Sequence, residues 1–376
     1  MAIDIKIISS TWDYIKYTNF KNKLYKDSKY AVPPLLMDEL TTFNRKKNPA
    51  FDFCDAVSIM AYRDGKAVGR ATGIINHAVN KRTGKKCARF GWIDFIDDKE
   101  VSIALTEWIE NWAIHKGMNE IEGPLGFTDM DPEGCLVEGF DQLGTMATIY
   151  NYPYYATHFE ELGYEKEQDW VEFKINIPDD LPEKHYRIAK IVKEKYGIRL
   201  AECKNIKELA DKYGQALFEL INVAYDELYG YSPLTPRQID HYIKMYLPMV
   251  HKNGIAVVLN EQDEVVGVGI TVPSLSKALQ KSKGRMFPFG WYHLLKAFKK
   301  GNDIVDFLLI AVRPDYQSKG VNALFFERIF PYFKEQGFKM VESNPELDNN
   351  TKIHNQWAMF DTTQHKRRRA FHKKLI

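Results

Sequence analysis

The sequence predicts two similar α/β domains arranged in tandem. The chain has 376 residues, which leaves room for two domains of the usual ~100–200 residues. Apolar residues make up 45% of it, which is enough for two packed cores and too much for a disordered chain. The third observation is that the same order of elements occurs in both halves.

Each half contains a signal for a β-hairpin. Residues 56–76 form two β-rich runs around Asp64 and Gly65, a pair typical of tight hairpin turns because these turns need positive φ. Residues 255–272 again form two apolar runs, around a short polar turn. The second run of each hairpin opens with a Val-Gly pair, at Val68-Gly69 and Val266-Gly267.

After the hairpin, each half shows the pattern of a strand, a helix and another short strand. The helices have apolar residues at helical spacing, and a glycine, Gly117 or Gly337, ends each of them as helix C-caps favour. The predicted elements are a helix at 11–25, a strand at 90–96, a helix at 100–116, a helix at 209–228, a strand at 304–312 and a helix at 321–336. The repeat lies in the element order rather than in residue identity.

The boundary between the halves is predicted at residues 178–182, where prolines and acids cluster. We therefore expect domains at residues 1–178 and 179–376. The second half carries an additional segment, residues 274–302, that is rich in aromatic residues and lysines. Two interpretations are open for it: an insertion that packs against the other domain, or a lid or channel for substrate.

Charge and composition limit the class of partner. The net charge is +2, from 52 basic and 50 acidic residues, which gives no general attraction to nucleic acid or to an anionic membrane. Four scattered cysteines are typical of reduced thiols. The N-terminus has no signal-peptide pattern, and no window is apolar enough to span a bilayer. The histidines show no metal-ligand spacing. We expect a cytoplasmic protein with no metal, no membrane contact and no nucleic acid.

The most informative residues form the turn that joins the strand at 304–312 to the helix at 321–336. Gln317-Ser318-Lys319-Gly320 is a polar turn that leads directly into an amphipathic helix. A helix N-terminus has up to four N–H groups without internal partners and a dipole that favours anions. Glycine lets a ligand approach the backbone, and lysine adds a positive charge. These features suit a diphosphate cradle, although many strand–turn–helix units bind nothing.

The element order and this turn resemble the GNAT superfamily of acyl-coenzyme A-dependent N-acyltransferases. The family's coenzyme motif is Gln/Arg-x-x-Gly-x-Gly/Ala, after a strand that ends in Val-x-Pro. The matching residues here are Val312-Arg313-Pro314 and then Gln317-Ser318-Lys319-Gly320-Val321-Asn322. Only Asn322 departs from the motif, and its larger side chain can crowd the diphosphate. In the first half, residues 92–101 lack a glycine at the turn and carry acids that repel a diphosphate.

The resemblance implies a fold of class α/β (α+β), with two tandem GNAT-like domains that each have a mixed, mostly antiparallel sheet flanked by helices. It implies acetyl-CoA or another acyl-CoA as co-substrate, bound only by the second domain. The coenzyme-binding residues it implies are Ile310, Val312, Gln317, Ser318, Lys319, Gly320, Val321, Asn322 and Asn355. The backbone amide that polarises the thioester carbonyl would come from residues 310–312.

The same resemblance gives candidate catalytic residues. Such enzymes mainly supply proximity and a base, commonly a carboxylate or an ordered water. Glu342 and Glu346 are the candidate bases. The family's Asn-x-x-Ala-x-x-x-Tyr pattern is matched at Asn355 and Ala358, but Thr362 replaces the tyrosine, so no general acid is assigned. Asn355 is expected to contact the pantetheine arm.

We therefore expect an N-acyltransferase that moves an acyl group, with acetyl as the first choice, to a small-molecule or peptide amine. One alternative is a non-catalytic protein that keeps the fold and binds coenzyme A or another ligand, which Asn322 and Thr362 favour. The other is a Fem-like transfer of an aminoacyl group from charged tRNA, which the basic tail at 365–374 favours and the intact turn opposes. The oligomeric state and the acceptor are open.

Two further segments have alternative interpretations. The acid-rich loop at 123–134 and the tyrosines at 150–155 form either a pocket for a polar or cationic substrate or a loop whose aromatic residues pack onto the domain. The basic tail is interpreted as a solvated edge strand, with Arg367 and Arg369 on one face and Arg368 on the other. Contact with coenzyme phosphate or with the other domain, and nucleic-acid binding, are the alternatives.

Overall fold

The computed structural model describes residues 3–299, 301–357 and 359–375, except the side chains of Lys352 and Asn355. The chain forms two compact units. The first unit comprises Met1–Val171, Leu275–Lys296 and His365–Ile376, and the second comprises Glu172–Ser274 and Ala297–Gln364. The predicted division after residue 178 falls between a strand that ends at Asn176 and a helix that begins at Glu183. It stays a prediction.

The strands are β1 (Asp4–Ile8), β2 (Cys54–Arg63), β3 (Lys66–Asn76), β4 (Cys87–Phe95), β5 (Glu120–Gly123), β6 (Cys135–Glu138), β7 (Glu165–Asn176), β8 (Arg199–Leu200), β9 (Ile255–Leu259), β10 (Val265–Pro273), β11 (Ile304–Val312), β12 (Met340–Ser343), β13 (Glu346–Leu347) and β14 (Thr362–Lys374). The α-helices are α1 (Thr11–Leu24), α2 (Leu36–Thr42), α3 (His77–Thr83), α4 (Lys99–His115), α5 (Tyr154–Glu161), α6 (Glu183–Tyr196), α7 (Ile206–Ala224), α8 (Pro236–Tyr246), α9 (Ser276–Ser282), α10 (Gly290–Ala297), α11 (Asn322–Gln336) and α12 (Thr351–Trp357).

The sheet of the first unit has the strand order β1-β2-β3-β4-β5-β14-β7, with β6 paired to β14. The pair β4/β5 is parallel, and α4 is the crossover helix between its strands. The neighbouring pairs β2/β3, β3/β4 and β14/β5 are antiparallel. The sheet is therefore mixed and mostly antiparallel, as the sequence predicted.

The second unit repeats this plan. The end of β7 is followed in its sheet by β12, β11, β10, β9 and β8. The pair β11/β12 is parallel, with α11 as its crossover helix, and the pairs β10/β11 and β9/β10 are antiparallel. The predicted repeat of hairpin, strand, helix and strand is present in both units.

The repeated Val-Gly pairs have a common structural reason. A Cβ atom on Gly69 would lie 2.7 Å from Leu105 Cδ1 of α4, and one on Gly267 would lie 3.0 Å from Val321 Cγ1 at the start of α11. Both distances are below normal van der Waals contact. The glycine therefore lets the crossover helix pack closely on the sheet in each unit.

Each unit has its own hydrophobic core. In the first unit, Phe90, Phe95, Leu105 and Phe371 are buried between the sheet and α4. In the second unit, the core lies around α11 and contains the residues Val258, Val266, Phe307, Leu324, Phe325, Ile329 and Trp357. Burial of these side chains is the main favourable term in the folding of each unit.

The basic tail forms β14, and the prediction that it is an edge strand is wrong. In the first unit β14 lies between β5 and β7. The predicted alternation is present: Arg367 and Arg369 both pair with Asp169, at 3.2 and 2.8 Å. Arg368 is fully buried and donates to the Ile149 carbonyl. Because Asp169 and Glu138 together pair with these two arginines, the charged strand can lie inside the sheet.

The segment at 274–302 packs against the other half of the sequence, as one of the two interpretations predicted. Residues 275–296 belong to the first unit. The Gln280 side chain donates to the Lys29 and Ala31 carbonyls, at 3.0 Å each. No helix in the described part of the chain is both long enough and apolar enough to cross a membrane.

Candidate functional site

The candidate site begins where β11 and β12 separate. Their parallel pairing covers Ile304–Phe307 and Met340–Ser343 only. Asn344 then crosses toward β11: its backbone N–H donates to the Phe307 carbonyl at 3.2 Å and its side chain to the Leu308 carbonyl at 2.8 Å. Leu308 is the extra residue of a β-bulge against β10. Past this bulge, β11 continues along β10 while its other edge is no longer paired with β12.

The unpaired edge of β11 contains the predicted residues Ile310 and Val312. The Ile310 carbonyl accepts a hydrogen bond from the Tyr225 hydroxyl at 2.8 Å, and the Val312 carbonyl accepts one from the Gln317 side chain at 3.2 Å. Since N–H and C=O of one strand residue point to the same side, the Ile310 N–H also faces this edge. Sequence reasoning missed Tyr225, which directly follows α7 and carries no motif.

The turn after β11 has an unusual backbone. Ser318 and Gly320 have positive φ values, 60° and 81°, and Val321 has the helical φ of −53°. Alternation of left-handed and right-handed residues turns successive N–H groups toward a common point, which is an anion-binding arrangement. Val321 gives α11 no side-chain cap, so the helix dipole meets the turn directly.

Gly320 is required by space as well as by conformation. A Cβ atom at this position would lie 3.1 Å from a methyl group of Val192 and 3.2 Å from one of Ile188, both on α6. A residue with a side chain would also be strained at φ 81°. Any substitution at Gly320 therefore tests strain together with ligand binding.

Lys319 is held on the turn by two aromatic rings. Its Nζ atom lies 4.8 Å from the Tyr316 ring centroid and 5.0 Å from that of Tyr196. These cation–π contacts fix the ammonium group beside the N-terminus of α11. The turn thus combines a positive charge, an uncapped helix and a concave backbone.

Asn322, the departure from the motif, is engaged by α12. Its Nδ2 atom donates to Gln356 Oε1 at 3.0 Å. The side chain is thereby held against α12 at the first residue of α11. The side chain of Asn355 lies outside the described residues, so its predicted contact with pantetheine stays a prediction.

The two candidate bases differ in their surroundings. Glu342 is buried in the paired part of β12, in register with Asp306 on β11 and Lys174 on β7. Glu346 lies on β13, beyond the point where β11 and β12 separate. β13 pairs with β7, so Glu346 lies outside the paired part of β11 and β12, and the catalytic role of both residues stays a prediction.

The surroundings of Glu346 change its proton affinity. Burial raises the pKa of Glu346 to about 8, against a hydrogen bond from Trp357 that lowers it. The Trp357 Nε1 atom lies 2.9 Å from one carboxyl oxygen and His354 Nε2 lies 3.8 Å from the other. Burial also lowers the pKa of His354. A carboxyl group with a pKa near neutrality is suited to accept and release protons.

His354 and Trp357 were missed by sequence reasoning. They lie three residues apart on α12, a spacing that places two side chains on one helix face. Trp357 is almost fully buried against Phe307 and Phe326, with ring centroids at 5.8 and 6.1 Å. The spacing was the available signal, but only the fold brings this face to Glu346.

The corresponding place in the first unit is closed. Asp98 caps α4 by accepting from the Glu100 N–H at 3.0 Å, and it pairs with Arg63 at 2.6 Å. At the end of β4, the Phe95 N–H donates to the Tyr155 hydroxyl at 3.0 Å. The helix N-terminus therefore has an internal anion and the strand edge has an internal partner. That the first unit binds no coenzyme stays a prediction.

The tyrosines and the acidic loop of the first unit pack onto it. Phe127 in the loop is fully buried against Phe51 and Trp92, with centroids at 5.0 and 5.7 Å. Tyr150 and Tyr152 lie 5.6 and 5.0 Å from the Tyr25 ring. These contacts support the interpretation as a packed loop rather than as aromatic walls of a pocket.

The comparisons with known proteins identify relatives along most of the chain. No family model matches it. It is 27% identical over 372 residues to Protein YghO of Escherichia coli (strain K12), covering 96% of this chain and 93% of that protein. It is 28% identical over 291 residues to a protein named Bacterial ceramide synthase from Caulobacter vibrioides (strain NA1000 / CB15N), covering 76% and 74%.

Solved structures match the fold at low sequence identity. A tandem GNAT protein from the clavulanic acid biosynthesis pathway, without AcCoA, has a TM-score of 0.59 at 10% identity, over 100% of this chain and 99% of that chain. A probable N-acyltransferase from Enterococcus faecalis V583 has a TM-score of 0.51 at 6% identity, over 100% and 73%. The chain therefore has a GNAT-like fold, with one plan repeated in its two units.

Proposed function

We propose that this chain is an acyl-CoA-dependent N-acyltransferase whose coenzyme is held by the second unit. The observation that carries the proposal is the unpaired edge of β11, which leads through the turn at 317–321 into the uncapped N-terminus of α11. If the thioester of acyl-CoA lay in the gap beside Ile310, the diphosphate of the same molecule would lie against this helix end. The names of the two solved structures, a tandem GNAT protein and a probable N-acyltransferase, agree with this chemistry.

In the proposed reaction the acceptor nitrogen attacks the thioester carbonyl carbon. A C–N bond forms, the C–S bond breaks, and coenzyme A leaves as a thiolate, which takes up a proton from water while the base returns its own proton to water. The Ile310 N–H stabilises the negative charge that develops on the carbonyl oxygen. Glu346, in its ionised form, accepts the proton lost by the nitrogen, directly or through one water.

The name of the Caulobacter relative suggests the class of acceptor. A ceramide is an amide between a fatty acid and a long-chain amino alcohol, so its synthesis is an N-acylation. We therefore extend the proposal to a long-chain acyl thioester and a lipid-like amine, and keep acetyl-CoA with a small-molecule or peptide amine as the alternative pair.

Thermal unfolding with acetyl-CoA and with a long-chain acyl-CoA tests the coenzyme site. A ligand present at ~100 times its dissociation constant should stabilise the protein by about 2.7 kcal/mol. Lys319→Glu should abolish the shift, because it reverses the charge beside α11. Lys195→Glu is the matched control, since Lys195 Nζ lies over the same Tyr196 ring, at 5.2 Å, but outside the turn.

The outcomes separate the alternatives. A shift lost in Lys319→Glu and kept in Lys195→Glu supports the site, and the larger of the two ligand shifts identifies the acyl chain class. Release of free thiol only when an amine is added separates an enzyme from a non-catalytic coenzyme-binding protein. Absence of any shift would end the coenzyme proposal.

The basic tail, which favoured the tRNA-dependent alternative, has internal ion-pair partners. The arginines that favoured it, Arg367 and Arg369, are ion-paired with Asp169 within the first unit. If the alternative were correct, the chain would retain charged tRNA at low salt and release it steeply as salt rises.

A further inference from the structure

A cluster of exposed apolar side chains lies within nine residues of the first unit. We call it the aromatic patch, and it consists of Phe287, Phe289, Trp291, Tyr292 and Leu295. Phe287 is 76% exposed, Phe289 74% and Leu295 56%. Single exposed apolar residues are ordinary, but five of them within nine residues of one segment are typical of a binding surface.

The patch is presented from a fixed base. Just before it, Leu275, Ala278 and Leu279 of α9 are buried. The Gly284 carbonyl accepts a hydrogen bond from the Leu36 N–H at 2.9 Å, and Arg285 Nη2 donates to Asn19 Oδ1 at 3.3 Å. These contacts anchor the chain directly before the aromatic residues, so the patch is held in place with its rings in solvent.

The segment that carries the patch has charges of one sign in its own sequence. Residues 274–302 contain seven lysines and arginines and no acidic residue, whereas the whole chain has a net charge of only +2. Four of these basic side chains are exposed and have no ion-pair partner among the described residues. They are Lys277, Lys281, Lys283 and Lys296. The positive charge is therefore concentrated where the apolar side chains are exposed.

We propose that the aromatic patch and its lysines dock the protein on the surface of an anionic lipid bilayer. Aromatic and leucine side chains enter the boundary between headgroups and acyl chains, while lysines bind the anionic headgroups. The helix α10 carries three of the five patch residues and is far too short to span a bilayer, so it would lie in the interface. A second protein copy would not explain why acids are absent from this segment.

Vesicle sedimentation with the full-length chain tests the proposal, and it needs neither coenzyme nor acceptor. One set of vesicles is phosphatidylcholine alone, and the other contains about 30% phosphatidylglycerol. We expect binding to the anionic vesicles, reduced about tenfold or more when salt is raised from ~0.05 to ~0.5 M, because salt screens the headgroup charge.

Two pairs of substitutions separate the contributions. Phe287→Ser with Phe289→Ser should lower binding about tenfold or more, because two exposed rings lose their apolar contact. Lys281→Gln with Lys283→Gln should lower binding to anionic vesicles about tenfold and flatten its salt dependence. All four side chains are exposed, so the thermal midpoint should not change.

Tyr186→Ser is the matched control, because Tyr186 is an aromatic residue, 49% exposed, outside the segment. It should bind vesicles as the wild type does. The proposal is overturned if the wild type ignores anionic vesicles or if the phenylalanine pair binds them normally. Two other results would also overturn it. If the phenylalanine pair of substitutions abolishes self-association, the patch binds a second copy of the chain. If the pair abolishes binding of single-stranded nucleic acid, the patch binds nucleic acid.

Discussion

Glu346 is buried beside Trp357 and His354, and this environment links the protein's stability to pH. Its pKa is raised from 4.5 to about 8, so the folded state binds a proton more tightly than the unfolded state does. The resulting stabilisation is fully present below pH 4.5 and is lost as pH rises toward 8. Glu346→Gln, which stays neutral, should remove this loss. The difference in unfolding free energy between variant and wild type should change by on the order of 5 kcal/mol across this range.

Denaturant unfolding at several pH values measures that difference. Parallel curves for wild type and Glu346→Gln would mean that the carboxyl group titrates normally. All other ionisable groups are the same in the two proteins, so their contributions to the pH dependence of stability cancel to first order.

The same residue gives a prediction for the proposed activity. A base must be ionised, so kcat/KM should rise with pH and level off above about 8, the pKa of Glu346. Glu346→Gln should lower kcat/KM by roughly 10²–10⁴-fold, the usual contribution of a positioned base. Glu342→Gln is the comparison, since Glu342 lies in the paired part of β12. An unchanged rate in Glu346→Gln would assign the carboxyl group a structural role only.

Asn322 stands where the coenzyme motif has glycine or alanine, and substitution of this residue tests whether the difference matters. Because its side chain is bonded to Gln356, it should not crowd a diphosphate. Asn322→Ala should therefore leave the dissociation constant of acyl-CoA nearly unchanged, and it should lower the unfolding free energy by about 1 kcal/mol through the lost hydrogen bond. A tenfold gain in affinity, measured by titration calorimetry, would show that the asparagine does obstruct the ligand.

The elements were readable from the sequence because their signals are local. Apolar periodicity placed β11 at residues 304–312 and α1 from residue 11, as observed, and glycines marked the helix ends. The Val-Gly repeat was visible as a pattern, but its cause lies in another element. Close approach of α4 to Gly69 and of α11 to Gly267 cannot be read from the strand alone.

Substitution of Gly267 tests this packing between strand and helix. Gly267→Ala should lower the unfolding free energy by about 1–3 kcal/mol, because the new methyl group overpacks against Val321 and Phe325. The control is Gly214→Ala on α7, where a Cβ atom would meet only the flexible Ile243 side chain, at 3.2 Å, and alanine favours the helix. Equal thermal midpoints for the two variants would contradict the packing argument.

At the scale of the whole molecule, the first unit is discontinuous in sequence. The strand β14 lies between β5 and β7 in its sheet and contributes the fully buried Phe371 to its core. A fragment of residues 1–178 lacks this strand, so it should show no cooperative thermal transition by circular dichroism. A cooperative transition in the fragment would mean that the remaining strands suffice.

What the sequence could not predict depends on long-range partners. The tail was expected at a sheet edge because charge protects edges, but Asp169 and Glu138, far away in sequence, pair with Arg367 and Arg369. Similarly, Trp357 and His354 become part of the site only when α12 packs beside β13. The expectation of no membrane contact used the net charge of the whole chain, and the vesicle experiment tests it.

The central place of β14 in the first unit has a consequence for synthesis. A ribosome adds about 5–20 residues per second, and roughly 200 residues follow Val171 before this strand emerges. For about 10–40 seconds, the earlier strands of the first unit lack the neighbour that completes their sheet. The second unit, whose last residue is Gln364, is complete sooner. The part of the protein that is translated first is therefore completed last, and we expect its unpaired strand edges to make the nascent chain prone to aggregation.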